Sequence, residues 1–203
     1  MTNFLLIRHA TNDTVGKLLA GRMKGVTLNG EGRLQADHLS IRLAGLPITA
    51  IYSSPLERAI ETAEPIARRF NLQIEIREEF TDIEFGNWTN CKISDIEESE
   101  KFRQFNTFRS FCRIPGGETM LEAQQRMITG IEKLHDKHPN ETIAIVSHAD
   151  LIKSAVAYYA GIHLDMFQRI EISPASVSMI GINEHSARIF WLNDSGELKT
   201  ERM

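Results

Sequence analysis

Cysteine is nearly absent: the 203 residues hold only Cys91 and Cys112. They form no CxxC pair, so neither a disulfide framework nor a zinc site is expected, and the usage fits a reducing compartment. Long hydrophobic runs are missing too. The first apolar segment begins at Phe4 with no basic leader or cleavage site before it, so the reading is of a cytoplasmic chain with neither signal peptide nor membrane span. There is no excess of positive charge: 23 Lys and Arg against 27 Asp and Glu give a formal net charge of −4. Nucleic acid and membrane surfaces are therefore not expected partners, and any positive site must be local. No GxGxxG follows the first apolar run, and no GxxxxGK[ST] or GxSxG occurs, which removes the main support for dinucleotide binding, P-loop chemistry and serine hydrolysis. Nothing repeats or is low in complexity.

What is present is enough apolar sequence, 42% of the chain, for one core. We read residues 1–203 as a single domain. Strands are expected near 4–7, 48–52, 73–77, 142–147, 177–182 and 187–192, and helices near 31–45, 55–70, 118–138 and 149–161. The alternation predicts a doubly wound α/β fold with a mostly parallel sheet flanked by helices. Residues from about 87 to 117 break the rhythm and read as a small cap-like insertion. Within it Phe102, Phe105, Phe108 and Phe111 recur every three residues, as one inner face of a helix would. Pro115-Gly116-Gly117-Glu118-Thr119 then reads as a tight loop opening the next helix.

Two apolar runs end in charged or polar pairs that contain histidine: Phe4-Leu5-Leu6-Ile7 leads to Arg8-His9, and Ile143-Ala144-Ile145-Val146 leads to Ser147-His148. The carboxyl ends of strands are where open α/β sheets bind ligands. A third run, Ala50-Ile51-Tyr52, leads to Ser53-Ser54-Pro55-Leu56-Glu57-Arg58. There Ser54 suits an N-cap, Pro55 the first helical position and Glu57 the third, a capping box that places Arg58 in the first turns of the helix. If the three strands are parallel neighbours, Arg8, His9, Arg58 and His148 converge beside a helix N-terminus and make an oxyanion pocket suited to phosphate. A lone histidine would read as a hydrogen-bonded core residue, but the matched pair favours His9 as a nucleophile.

Phosphoryl transfer also needs a proton for the leaving oxygen, and Asp82-Ile83-Glu84 is the nearest source; the chemistry alone does not choose between Asp82 and Glu84. Thr11, Asn12 and Thr14 follow His9 and are candidates for donating to phosphate, and Arg22 lies in a segment flexible enough to close over a substrate. Glu118 either caps its helix or faces the site. Asp150 suits the first turn of a helix for dipole reasons. His135 and His138, near a helix end before Pro139, are read as favourable positive charge there and not as metal ligands.

Arg8-His9-Ala10 resembles the RHG or RHA signature of the histidine phosphatase superfamily, in its phosphoglycerate mutase-like branch. Leu28-Asn29-Gly30-Glu31-Gly32-Arg33-Leu34-Gln35-Ala36 resembles its LTxxGxxQA stretch, and Ser53 through Ala63 its SSPLxRAxxTA motif. Gly117-Glu118-Thr119 and Val146-Ser147-His148 resemble its later GES and VSH signatures. The resemblance implies that His9 becomes phosphohistidine and that Arg8, Arg58 and His148 hold the phosphate, with no metal or cofactor. Counting back from Gly86 puts Asp82 where the family usually has a glutamate as general acid, with Glu84 in reserve. The implied activity is metal-independent hydrolysis of a small phosphorylated metabolite. A phosphomutase is the second expectation, made less favourable by the short stretch between the acid and the GES-like loop. A non-catalytic phosphate-binding regulator is the third. A homodimer is left open.

Overall fold

The computed structural model describes residues 1–196, so 197–203 of the expected domain lie outside the described residues. Six strands form one sheet: β1 (Thr2–Arg8), β2 (Ile48–Ser53), β3 (Ile74–Ile76), β4 (Thr142–Ser147), β5 (Val177–Ile182) and β6 (Ala187–Asp194), in the order β3-β2-β4-β1-β5-β6. The first four pair in parallel, whereas β5 lies antiparallel to β1 and β6 antiparallel to β5. The sheet is thus mixed but mostly parallel, four parallel strands extended by an antiparallel hairpin. The three strands expected to be neighbours are adjacent. Arg8 lies opposite Ser147, and Ser53 opposite Val146, so β1, β2 and β4 end level on one rim.

The apolar runs of the central strands are unbroken because both faces of the sheet are covered. Leu5, Ile7, Ala144 and Val146 point to a cluster completed by α1 (Gly30–Arg42) and α2 (Glu57–Phe70). Phe4, Leu6, Ile143 and Ile145 point to the opposite cluster, completed by α5 (Met120–Lys137) and α6 (Ala149–Ala160). Between β3 and α5 the chain runs through short helical turns, then α3 (Ile93–Ile96) and α4 (Glu100–Thr107). No helix among the described residues is long and apolar enough to cross a membrane.

Three local expectations change. The helix expected from 55 begins at Glu57, with Leu56 as a capping residue whose side chain donates and accepts nothing; the Ser54 capping box does not form. The box that does form is at α5, where Thr119 Oγ1 accepts from the Glu122 amide and the Glu122 carboxylate accepts from the Thr119 amide. The phenylalanine stripe is split. Phe102 and Phe105 pack edge-on against Trp88, but the backbone leaves the helical region at Phe108, and Phe108 and Phe111 are 53% and 84% exposed.

Candidate active site

The rim at the ends of β1, β2 and β4 opens into a cavity of about 240 Å³ lined by Arg8, His9, Asn12, Arg58, Asp82, His148 and Asp150, among others. The loop after β1 reaches it because α1 holds that loop closely. Gln35 Oε1 accepts from the Thr11 amide at 2.9 Å, and a Cβ at Gly32 would lie 2.0 Å from the Thr11 carbonyl oxygen. The similarity of this stretch to a family motif therefore has a packing basis: only glycine lets helix and loop approach so far.

His9 and His148 are both buried, with ring centroids 5.2 Å apart. His9 Nδ1 lies 2.8 Å from the Ala10 carbonyl oxygen. A carbonyl only accepts, so Nδ1 carries the proton and Nε2 keeps its lone pair. Burial, followed by the nearby His148 and Arg58, holds the His9 imidazolium well below its ordinary pKa, so the ring is neutral at pH 7. His148 is depressed in the same way by burial and by Arg58, Arg8 and Arg126. Its Nε2 lies 2.8 Å from Ser54 Oγ, which is where the serine expected to cap α2 has gone.

Arg58 is 1% exposed and donates from Nη2 to Asp82 Oδ2 at 3.0 Å and to the Gly21 carbonyl at 2.6 Å. Arg8 Nη1 donates to the Ile172 carbonyl at 2.6 Å. Arg8 Nε, Arg58 Nη1 and His148 Nδ1 are buried without a hydrogen-bond partner. The two guanidinium nitrogens are donors, and a buried donor left unpaired carries a desolvation cost that an anion would relieve. The N-terminus of α6 adds to this field, since Ala149 and Asp150 line the same cavity. Asp82 Oδ2 also lies 3.5 Å from His148 Nδ1. Burial raises the Asp82 carboxyl above its ordinary value, against the downward pull of Arg58.

Not every candidate reaches the cavity. Arg8, His9, Asn12, Thr14, Arg58, Asp82 and His148 line it, whereas Thr11, Arg22 and Glu84 do not. Asn12 Oδ1 accepts from the amide and hydroxyl of Thr14, so its Nδ2 is the end available to donate. Arg22 lies against the acid segment, donating to the Asp82 carbonyl and to Glu118. Glu84 turns to the Gly86 amide. Glu118 does not cap α5; its carboxylate accepts from Arg22, Arg126 and the Glu84 amide. His138 Nε2 lies 2.8 Å from the Tyr52 hydroxyl and Nδ1 3.0 Å from Glu141; among the described residues no metal-binding cluster of His, Cys, Asp and Glu occurs.

Asp150 plays more than a dipole role, because Arg109 Nη1 donates to it at 3.1 Å. Arg109 is buried over the Phe105 ring, 4.1 Å from its centroid. Nothing in the spacing around Arg109 signals this, since the pair joins the cap to α6 across 41 residues.

The rim thus gathers two arginines, two buried histidines and Asp82 into one cavity on an α/β scaffold. The model of the histidine phosphatase superfamily, branch 1, matches residues 4–195, and the chain belongs to that family. Phosphoserine phosphatase 1 of Hydrogenobacter thermophilus is 28% identical, over 95% of this chain and 92% of its own. Phosphoglycerate mutase-like protein 4 of Arabidopsis thaliana is 30% identical, over 74% of this chain and 67% of its own. The crystal structure of a phosphoserine phosphatase mutant from Entamoeba histolytica, in complex with phosphoserine, shares the fold, with a TM-score of 0.87 at 22% identity over 98% of this chain and 100% of that one. Family and relatives together support a phosphatase hydrolase.

Proposed function

We propose that the protein hydrolyses small phosphomonoesters in two displacements through a phosphohistidine at His9. The carrying observation is the committed tautomer: Nδ1–H is tied to the Ala10 carbonyl, so Nε2 faces the chemistry as a neutral nucleophile. Nε2 attacks phosphorus and the ester P–O bond breaks, while Asp82, protonated, gives its proton to the leaving oxygen. Arg8, Arg58 and the α6 N-terminus carry the charge on the equatorial oxygens, so the proposed route calls for no metal. Water then attacks the phosphohistidine, Asp82 takes its proton, the P–N bond breaks and phosphate leaves with His9 neutral again. The position of Asp82, beside Arg58 and His148 in the lined cavity, supports it over Glu84 as acid.

The cavity is small, but a second of about 610 Å³, lined in part by Lys17, Leu18, Lys92 and Ile93, adjoins it through Gly16, Leu18 and Ile93. A phosphate in the first leaves the second for its leaving group, and phosphoserine heads the panel because relatives carry that name.

The test is phosphate release from phosphoserine, an aryl phosphate and other small esters between pH 5 and 8, with chelator present. Turnover is expected to survive the chelator and to vanish in His9→Ala, and Asp82→Asn should lose about 10²–10⁴-fold on an alkyl ester. Isomerisation dependent on a bisphosphate primer, with no net phosphate release, would make the protein a mutase instead.

A further inference from the structure

Arg126, on α5, lies outside the cavity lining yet holds the backbone that carries the proposed acid. Its Nη1 donates to the carbonyls of Glu78, Glu79 and Thr81 at 3.3, 2.9 and 2.7 Å, and its Nη2 lies 3.5 Å from the Asp82 carbonyl. The same Nη2 donates at 2.9 Å to Glu118 Oε1. That oxygen also accepts from the Glu84 amide at 2.8 Å and from Arg22 Nη2 at 3.0 Å, while Arg22 Nε returns to the Asp82 carbonyl at 3.0 Å. Below it, the Glu118 amide donates to the Glu84 carbonyl, and a Cβ at Gly117 would stand 2.2 Å from that oxygen. On the sheet side, Ser147 Oγ donates to the Phe80 carbonyl at 2.8 Å.

These bonds grip residues 78–84 by backbone atoms, where no regular ladder does so. Their consequence follows from side-chain length. Aspartate is one methylene shorter than glutamate, about 1.5 Å of reach, and its carboxyl has few rotamers with which to compensate. The place of the proton donor is therefore set by where the main chain is held. We propose that Arg126 and Glu118 are positioning residues for Asp82, a clamp that brings a short acid to the leaving oxygen. The idea rests on Asp82 being the general acid.

A misplacement of about 1 Å can cost on the order of 10²-fold in rate, and only where the acid matters. An ester with a poor leaving group, such as phosphoserine, needs the proton; 2,4-dinitrophenyl phosphate does not. The experiment measures kcat/KM, which reports the steps through leaving-group departure and not the later water attack that Asp82 also serves, for both esters in wild type, Arg126→Met, Glu118→Gln and Asp82→Asn, at a temperature where melting curves show all four folded. Arg126→Met is expected to lose about 10–100-fold on phosphoserine but under about threefold on the dinitrophenyl ester, with the same split, smaller, in Glu118→Gln. Equal loss on both esters in the two clamp variants, while Asp82→Asn shows the split, overturns the clamp and leaves the acid in place. Equal loss in Asp82→Asn itself overturns the acid assignment, and the clamp falls with it.

Discussion

Thr62 shows how much a single hydroxyl organises. It is fully buried, donates to the Arg58 carbonyl at 2.7 Å and accepts from the Ala10 amide at 2.9 Å, so it ties α2 to the loop whose next carbonyl fixes the His9 tautomer. Thr62→Val keeps the shape but orphans a buried N–H, and should cost about 1–3 kcal/mol of stability. A several-fold fall in kcat should accompany it; urea unfolding and steady-state rates would show both, and unchanged values of both would refute the role. His9, Arg8, Arg58 and His148 were legible because each directly follows an apolar run or a strand-to-helix turn. The bonds of Thr62 to the Ala10 amide and of Ser54 to His148 were not, because each spans more than fifty residues. Asp82 and Glu84 would share a side on an extended strand. The segment is irregular instead, with Asp82 Oδ1 folding back to accept from the Ile83 amide, so the two carboxylates diverge.

At the scale of elements, the approach of α1 to the site loop makes a prediction that helix propensity alone would get wrong. Gly32→Ala gains about 1 kcal/mol of intrinsic helix preference. The added methyl would meet the rigid Thr11 carbonyl at 2.0 Å, however, and such overpacking costs about 1–3 kcal/mol. Nothing flexible is in the way to yield, so destabilisation wins. A lower melting temperature and weaker turnover are expected, and a rise in melting temperature would show that α1 can retreat without harm. The helices and strands themselves were largely readable from periodicity. The direction of β5 and β6 was not, since an apolar run carries no sense of direction, although the four-residue link from Ile182 to Ala187 is hairpin length. The phenylalanine stripe misled for a related reason: equal spacing defines a face only while the backbone stays helical, and α4 stops at Thr107.

Across the whole molecule, the excess of negative charge coexists with a rim that holds two arginines and two buried neutral histidines, and the histidines make stability depend on pH. In the unfolded chain each takes up a proton near pH 6.5, whereas in the fold both are held well below that value. The unfolded state therefore binds more protons as pH falls, so their contribution to stability is whole above about pH 7.5 and declines through pH 6.5 by up to about 1.4 kcal/mol per unit for each ring. Asp82 has the opposite sign. Its raised folded value means the native state is protonated before the unfolded one, which returns some stability only at the acid end of the range. Urea unfolding at pH 7.5, 6.5 and 5.5 should show wild type losing about 1 kcal/mol more than His9→Gln between the two lower values. Parallel curves would mean that His9 is not held neutral by its surroundings. Inorganic phosphate should raise stability as it binds the folded rim, and should also narrow the gap between the two proteins, because a dianion beside His9 favours the imidazolium that burial and the arginines oppose.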